Sequence, residues 1–213
     1  MFEKIHVTYI NLDKRTDRKE KVIKELHKIG ISDPVRCKAI ELKDGALGCS
    51  LSHLKCIEDA KLNNYDSIFV CEDDIEFLNP PLLLMQLQTF FETIIDWDVV
   101  IIAGNNMLPY TPISTCCIKV FNCQTTTGYI VKKHYYDTLI SNYKEGISQL
   151  MKYPTNNDFK IDKYWFHLQR MHNWYLIIPL SVIQSDDYSD IEKKMRRARN
   201  YMLNYNKVVQ KEL

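Results

Sequence analysis

Three consecutive acids, Glu72-Asp73-Asp74, directly follow the apolar run Ser67–Cys71. The run predicts a buried strand, and open α/β sheets bind ligands at the carboxyl ends of their strands. Side chains two apart in an extended segment point the same way, so Glu72 and Asp74 can share one face. Carboxylates this close repel each other, and a hard divalent cation such as Mn²⁺ or Mg²⁺ relieves that repulsion. These acids therefore predict a metal site for phosphate oxygens, with a solvated acidic turn or a helix cap as the alternative.

A second polar segment, Tyr9–Arg18, ends the first predicted strand, Ile5–Leu12, and continues into a basic loop. Asn11 offers hydrogen-bond donors and acceptors for a base or a ribose, and Arg15 and Arg18 can fork onto phosphates. The alternative is a helix N-terminus with a solvated charged face.

The segment Gly45–Leu54 places glycines and serines where a loop passes into a helix. Such a junction exposes backbone N–H groups that suit an anion. A buried His53 bonded to a backbone carbonyl is the more common reading of that residue taken alone.

Apolar periodicity places these motifs in a chain of alternating strands and helices. Strands are predicted at Ile5–Leu12, Val35–Ile40, Ser67–Cys71, Trp97–Ala103, Gly128–Val131 and Tyr175–Pro179, with helical patterns between them. This alternation predicts an α/β domain with a mainly parallel sheet.

Composition restricts the classes of protein that fit. The 213 residues are 46% hydrophobic with a formal net charge of +1, which excludes a disordered chain and a partner chosen by overall charge. The seven cysteines lack zinc-knuckle spacing, and the first twelve residues have no apolar stretch long enough for a signal peptide. We therefore expect reduced thiols in a cytosol-like compartment.

The C-terminal segment carries a separate signal. From Ile191 to Leu213 there are seven Lys and Arg against two acids, and apolar residues recur in steps of three and four. After the capping-box pattern Ser189–Glu192, this predicts a basic amphipathic helix over residues 189–213, following a domain of residues 1–188. The helix would pack on its own domain or form a homodimer, or contact an anionic membrane surface; nucleic-acid binding through its arginines is the weaker alternative.

Taken together, these segments resemble glycosyltransferase family 25, which includes bacterial lipo-oligosaccharide galactosyltransferases and collagen hydroxylysine galactosyltransferases. The resemblance rests on Ile10-Asn11-Leu12 with Arg15 and Arg18, on Gly45–Leu54 and on Val70–Asp74, with looser matches at Thr127–Val131, Ile161-Asp162, Pro179-Leu180 and Gln184-Ser185. These motifs span nearly the whole chain in the order of the family.

The resemblance implies a GT-A fold, which is a Rossmann-like nucleotide-sugar domain, and a UDP-sugar donor, commonly UDP-galactose. It also implies a Mn²⁺-type ion held by Glu72 and Asp74, in a DxD-like element that begins here with Glu. The residues implied to bind the nucleotide-sugar are Tyr9, Asn11, Leu12, Arg15, Arg18, Gly48, Ser52, His53 and Asp73.

The implied reaction moves a sugar to a hydroxyl of a glycan, a lipo-oligosaccharide or a hydroxylysine-type acceptor. A β-linked product from an α-linked donor means inversion, which needs one carboxylate base. Asp162 is the candidate base, with helix capping as its alternative role; Asp186 and Asp187 are reserves, and Asp74 acts through the metal.

A non-catalytic nucleotide-sugar or glycan-binding member is the rival interpretation. The missing export signal suggests a bacterial enzyme at the cytoplasmic membrane face, or a viral protein in host cytoplasm.

Overall fold

Strands and helices alternate along residues 5–189 and 194–208, which the computed structural model describes. The strands are β1 (His6–Asn11), β2 (Val35–Lys38), β3 (Ser67–Glu72), β4 (Ile75–Phe77), β5 (Val99–Asn106), β6 (Tyr110–Pro112), β7 (Cys117–Val120), β8 (Cys123–Lys132), β9 (Trp174–Ile177), β10 (Val182–Gln184), β11 (Asp187–Ser189) and β12 (Lys194–Arg196). The helices are α1 (Thr16–Lys28), α2 (Gly45–Leu62), α3 (Pro80–Thr93), α4 (Tyr136–Lys152), α5 (Ile161–Tyr164), α6 (Phe166–Met171) and α7 (Arg199–Met202).

Eight of the strands form one mixed sheet in the order β2-β1-β3-β8-β5-β9-β7-β6. Strand β1 is parallel to β2 and to β3, and β5 is parallel to β9. Strand β8 is antiparallel to its neighbours β3 and β5, and β7 is antiparallel to its neighbours β9 and β6. Six strands therefore run in one direction and two in the other, which confirms the mainly parallel sheet. Two small antiparallel sheets, β4 with β10 and β11 with β12, lie beside it.

Side-chain N-caps mark where α2 and α3 begin. The carboxylate of Asp44 accepts hydrogen bonds from the backbone N–H groups of Ala46 and Leu47 and starts α2, as an N-cap should. Asn79 caps α3 in the same way, with prolines in the first turn. Among the described residues, no helix is both long and apolar enough to cross a membrane.

The core lies on both faces of the sheet. Alternate residues of β3 enter different apolar clusters, since Phe69 packs with α1 and α3 on one face and Val70 packs with α2 and α4 on the other. This two-sided burial explains why the strand reads as a continuous apolar run. It also leaves only the ends of the strands available to a ligand.

The continuous helix predicted over residues 189–213 is not formed by the described part of that segment. Residues 194–196 form β12, which pairs with β11, and only Arg199–Met202 is helical; residues 190–193 and 209–213 lie outside the described residues. The apolar positions Ala198 and Met202 are nevertheless buried in the core. These two apolar residues therefore pack against the chain's own domain, although the segment forms a strand and a four-residue helix and not one long helix.

Candidate active site

A cleft of 260 Å³ opens at the carboxyl edge of the sheet. The ends of β1 and β3 meet there, since Ile10 pairs with Glu72, and the start of β8, the first turns of α2 and the start of α5 form the walls. The predicted residues that line the cleft are Asn11, Leu12, Arg18, Gly48, Ser52, His53, Glu72, Asp73, Asp74 and Asp162. The fold thus brings together motifs that lie up to 151 positions apart in the chain.

Asp74 is the most deeply placed carboxylate of the acidic run. Its Oδ2 accepts hydrogen bonds from Gln184 at 2.8 Å and Arg18 at 3.4 Å, whereas its buried Oδ1 has no hydrogen-bond partner among the described residues. Burial, followed by the charges of Glu72 and Asp73, raises the pKa of Asp74 to about 7. A buried carboxylate oxygen without a donor is costly, which indicates that this oxygen serves a ligand.

Asp73 is held by two donors from the segment after β1. Asn11 Nδ2 donates to its Oδ2 at 2.7 Å, and Arg18 Nη1 lies 3.1 Å from its Oδ1. Burial raises the pKa of Asp73 in spite of these contacts. Arg18 also contacts Asp187 at 3.2 Å, so its guanidinium is engaged by carboxylates and not simply directed at a phosphate site.

Glu72 is oriented by groups from two different walls. Its Oε1 lies 3.3 Å from Nε2 of the buried His53 and accepts a hydrogen bond from the Thr126 hydroxyl. On its other side, His53 Nδ1 contacts the Tyr129 hydroxyl at 2.9 Å. His53 therefore connects the cleft to the core through side-chain contacts. These contacts differ from the hydrogen bond to a backbone carbonyl that was the alternative interpretation of His53 from the sequence.

The donor set at this edge fits a divalent cation. Glu72 and the Oδ1 of Asp74, which has no partner among the described residues, are oxygen donors of the kind that Mn²⁺ and Mg²⁺ take. Glu72 also belongs to a second combination, in which ligand atoms of Cys49, His53 and Glu72 lie within 4.8 Å of one another. Since burial raises the pKa of the Cys49 thiol well above its usual range, the carboxylates are the better ligands at neutral pH.

Gly48 and Ser52 shape the wall made by α2. A Cβ at Gly48 would lie 2.5 Å from the carbonyl oxygen of Ile40, so only glycine allows the loop after β2 to approach the helix this closely. The Ser52 hydroxyl donates to the Gly48 carbonyl at 2.7 Å and accepts from the Ile40 backbone N–H at 2.8 Å. Both residues thus position the loop that borders the cleft.

Asp162 lines the cleft at the first turn of α5. Its Oδ2 accepts a hydrogen bond from the backbone N–H of Thr125 at 3.2 Å. Thr125 has a φ of +72°, an unfavourable conformation for a β-branched residue and one that concentrates at functional sites. Asp187, a reserve, contacts Arg18, and Asp186 accepts the backbone N–H of Arg199.

Two of the residues implied to bind the nucleotide-sugar lie outside the cleft lining. Tyr9 is buried in the apolar core beneath it. Arg15 bonds Asp17 at 2.9 Å and approaches Asp187 at 3.5 Å. Sequence reasoning missed Gln184 as a donor to Asp74 and the run Thr125–Thr127, although the family resemblance touched both regions.

Comparisons with known proteins bear on the family and the fold of the chain. The model of glycosyltransferase family 25 (LPS biosynthesis protein) matches residues 33–165, whereas no curated protein sequence matches. A solved glycosyltransferase involved in glycosylation of the major capsid of PBCV-1 is similar in fold, at 13% identity and a TM-score of 0.51, covering 88% of this chain and 96% of that one.

Two further solved structures show weaker similarity. Protein A197 from STIV has 12% identity and a TM-score of 0.48, with 98% of this chain and 99% of that one covered. A Drosophila β-1,4-galactosyltransferase 7, in complex with manganese, UDP-galactose and xylobiose, has 12% identity and a TM-score of 0.35, with 63% and 52% covered. The fold comparison therefore rests on the capsid glycosyltransferase.

Proposed function

The chain belongs to glycosyltransferase family 25, and on that premise we propose that it transfers a sugar, galactose first among the candidates, from a UDP-sugar to a hydroxyl group of a glycan. Membership of the family makes the chain a glycosyltransferase. The UDP-sugar, the galactosyl group, the divalent cation and inversion of the sugar are the parts that the proposal adds.

The observation that carries the proposal is the buried Asp74 carboxylate. One of its oxygens has no partner among the described residues, and it lies beside Glu72 and Asp73 in a cleft at the carboxyl edge of the sheet. Three adjacent carboxylates repel one another, and Arg18 compensates part of their charge, which favours a bound metal ion beside them. A diphosphate is the natural counter-ligand for such an ion.

Glu72 and Asp74 would hold the cation. A bound Mn²⁺ or Mg²⁺ supplies positive charge against the diphosphate leaving group, where negative charge develops. Asn11 and Leu12 border the cleft on the side of β1, where they would lie beside the nucleoside. Asp162 would take the proton of the acceptor hydroxyl, and direct displacement with this single base inverts the sugar.

A panel of UDP- and GDP-sugars, each tested by thermal shift with and without Mn²⁺, tests this proposal. A ligand at 100 times its Kd stabilises the folded state by about 2.7 kcal/mol. We expect a shift with UDP-galactose and Mn²⁺ together, and its loss in Asp74→Asn. Asp33→Asn, an exposed carboxylate in the loop before β2, is the matched control and should keep the shift.

The outcomes separate the alternatives. A shift with GDP-sugars alone would contradict the UDP-sugar assignment, and a metal-independent shift retained in Asp74→Asn would contradict the metal site. Binding of UDP-sugar without release of UDP, under any metal and acceptor, would favour the non-catalytic interpretation instead.

A further inference from the structure

Two cysteines behind one wall of the cleft lie in contact and have no part in the proposed sugar transfer. Cys37 lies on β2 and Cys56 lies in α2, and both are free and buried. Their thiols share a hydrogen bond, and both side chains belong to the apolar cluster on the α2 face of the sheet. We call Cys37 and Cys56 the thiol pair.

The packing of α2 against the segment that follows β2 brings the two thiols together. Gly48, Ser52 and Cys56 recur every four residues and so lie on one face of α2. The carbonyl oxygen of Ile40 would lie 2.5 Å from a Cβ at Gly48, and the Ile40 N–H donates to the Ser52 hydroxyl at 2.8 Å. One turn further along the helix, Cys56 meets Cys37, which precedes Ile40 in the chain. Contacts over two helical turns therefore hold the thiol pair in place.

The two thiols are unequal as acids. The hydrogen bond from Cys56 lowers the pKa of Cys37 in spite of burial, and the positive charge of Lys55 contributes further. The same hydrogen bond, together with burial, raises the pKa of Cys56 well above its usual range. Cys37 is thus the member that becomes a thiolate and Cys56 the member that keeps its proton. A reactive cysteine and the resolving cysteine beside it divide their roles in this way.

A small oxidant can reach Cys37 because β2 forms one edge of the large sheet. Val35 is 48% exposed and Lys38 is also exposed, so the thiol lies beneath a thin layer of surface side chains. Elements at the periphery of a fold open locally at a lower cost in free energy than central strands do. A brief opening of this edge admits a molecule of the size of hydrogen peroxide.

From this geometry we infer that the thiol pair forms a reversible disulfide when the chain meets a peroxide, and that the cross-link restrains the loop that borders the cleft. The Cys37 thiolate attacks one peroxide oxygen, the O–O bond breaks and hydroxide leaves, which gives a sulfenic acid. The Cys56 sulfur then attacks the Cys37 sulfur, the S–O bond breaks, and water leaves with the Cys56 proton. The two sulfurs lose two electrons in total, and the peroxide gains them. A dithiol reductant restores both thiols by exchange.

The cross-link would act on the cleft through the loop between the two cysteines. Ala39, Ile40, Glu41 and Leu42 line the cleft, and all four lie within the segment 37–56 that the disulfide would close. A disulfide removes open conformations of the segment that it closes, so this loop would leave α2 less often. The oxidation state of the thiol pair would therefore control how freely one wall of the cleft moves.

Peptide mapping and amide hydrogen exchange of the full chain test the inference. The protein is treated with hydrogen peroxide, one half is then reduced with dithiothreitol, and both halves are alkylated and digested for mass spectrometry. We expect a cross-linked peptide that contains Cys37 and Cys56, which disappears on reduction. Before digestion, amide exchange at residues 39–44 should be slower in the oxidised half by roughly tenfold or more.

Cys37→Ser and Cys56→Ser should each lose both the cross-linked peptide and the slower exchange. Cys123→Ser is the matched control, since this buried thiol on β8 contacts the Gln124 carbonyl at 3.8 Å, and it should behave as the unmodified chain does. Melting temperatures identify a variant that fails to fold, and the oxidised and reduced halves of the unmodified chain decide the question without it.

Three results would overturn the inference. The first is a peroxide-treated chain whose disulfides do not join Cys37 to Cys56, for example one that links only the adjacent Cys116 and Cys117. The second is a Cys37–Cys56 cross-link with unchanged exchange at residues 39–44. The third is slower exchange in peroxide-treated Cys37→Ser, which would assign the effect to oxidation elsewhere. Each measurement is made without a sugar donor, so its outcome is independent of the proposed function.

Discussion

The Tyr129 hydroxyl lies 2.9 Å from Nδ1 of His53, and this buried contact determines which nitrogen of the imidazole carries the proton. Tyr143 donates to the Tyr129 oxygen at 3.2 Å, so the Tyr129 proton is directed at His53 Nδ1. The other nitrogen, Nε2, must then carry the proton that faces Glu72. Two core tyrosines thus orient a carboxylate at the cleft through one histidine.

Tyr129→Phe should weaken Mn²⁺ binding although residue 129 lies outside the cleft lining. The change removes the donor to His53 and leaves the Tyr143 hydroxyl without its acceptor, at a cost of about 1–3 kcal/mol in the free energy of unfolding. Loss of a group that orients a metal ligand typically lowers metal affinity by roughly 10–100-fold. Calorimetric Mn²⁺ titration and urea unfolding measure the two effects.

The control for this experiment is Tyr136→Phe. Tyr136 is also buried, and its hydroxyl donates to the Tyr65 carbonyl at 3.1 Å, away from the cleft. It should lose stability and keep its Mn²⁺ affinity. Equal Mn²⁺ affinities in the two variants would show that Tyr129 has only a structural role.

The stability of the metal-free protein should fall as the pH rises from about 4 to about 7. Burial raises the pKa of Asp74 to about 7, against an ordinary value of about 4 in an unfolded chain. Between these pH values the folded state keeps the proton of Asp74, whereas the unfolded state has released it. The contribution of this proton to stability is therefore complete below about pH 4 and is lost as the pH rises through about 7. Denaturant unfolding in EDTA, at several pH values, measures this dependence.

Asp74→Asn isolates the contribution of Asp74 to that pH dependence. The variant removes this titration but keeps Asp73, whose pKa is also raised by burial, together with Glu72 and Arg18. The difference in unfolding free energy between the two proteins should change across pH 4–7, and parallel curves would contradict the assignment. Mn²⁺ should stabilise the unmodified chain more at pH 8 than at pH 5, because carboxylate ligands must be deprotonated.

Local sequence signals predicted the elements that carry the acids and the α2 wall. The predicted strand Ser67–Cys71 is β3, one residue longer, and the helix expected after Asp44-Gly45 is α2, ending at Leu62 as expected. Both signals are local: an apolar run bounded by acids, and a cap followed by a helical stripe. Asn11 meets Asp73 because the parallel strands β1 and β3 end at the same edge of the sheet, a contact that the sequence analysis did not predict.

Contacts made by antiparallel and short strands were not predictable in this way. Gln184 reaches Asp74 because β10 pairs with β4, and Thr126 reaches Glu72 because β8 inserts antiparallel next to β3. Nothing local to either residue specifies those partners. The apolar periodicity of the C-terminal segment is likewise compatible with a long helix. Lys194–Arg196 nevertheless pairs with β11, and this tertiary interaction overrides the local helical preference.

Gly48→Ala should destabilise the protein despite the higher helix propensity of alanine. The added Cβ would lie 2.5 Å from the Ile40 carbonyl oxygen, and backbone must move to relieve the contact, at a cost of about 1–3 kcal/mol. Thermal unfolding measures the loss, and UDP-sugar titration should show weaker binding because the displaced loop borders the cleft. A Gly48→Ala protein as stable as the unmodified chain would contradict the close approach.

Asp162→Asn should abolish most sugar transfer without weakening donor binding. The amide oxygen of Asn can still accept from the Thr125 N–H, so the strained turn stays in place while the base is lost. Removal of a general base lowers kcat by about 10²–10⁴-fold.

Asp187→Asn should instead raise the donor KM, because Asp187 fixes Arg18 at 3.2 Å beside the acidic run. Steady-state kinetics on both variants, with melting temperatures as the folding control, distinguish the two roles; loss of kcat in Asp187→Asn with normal turnover in Asp162→Asn would transfer the base assignment to Asp187.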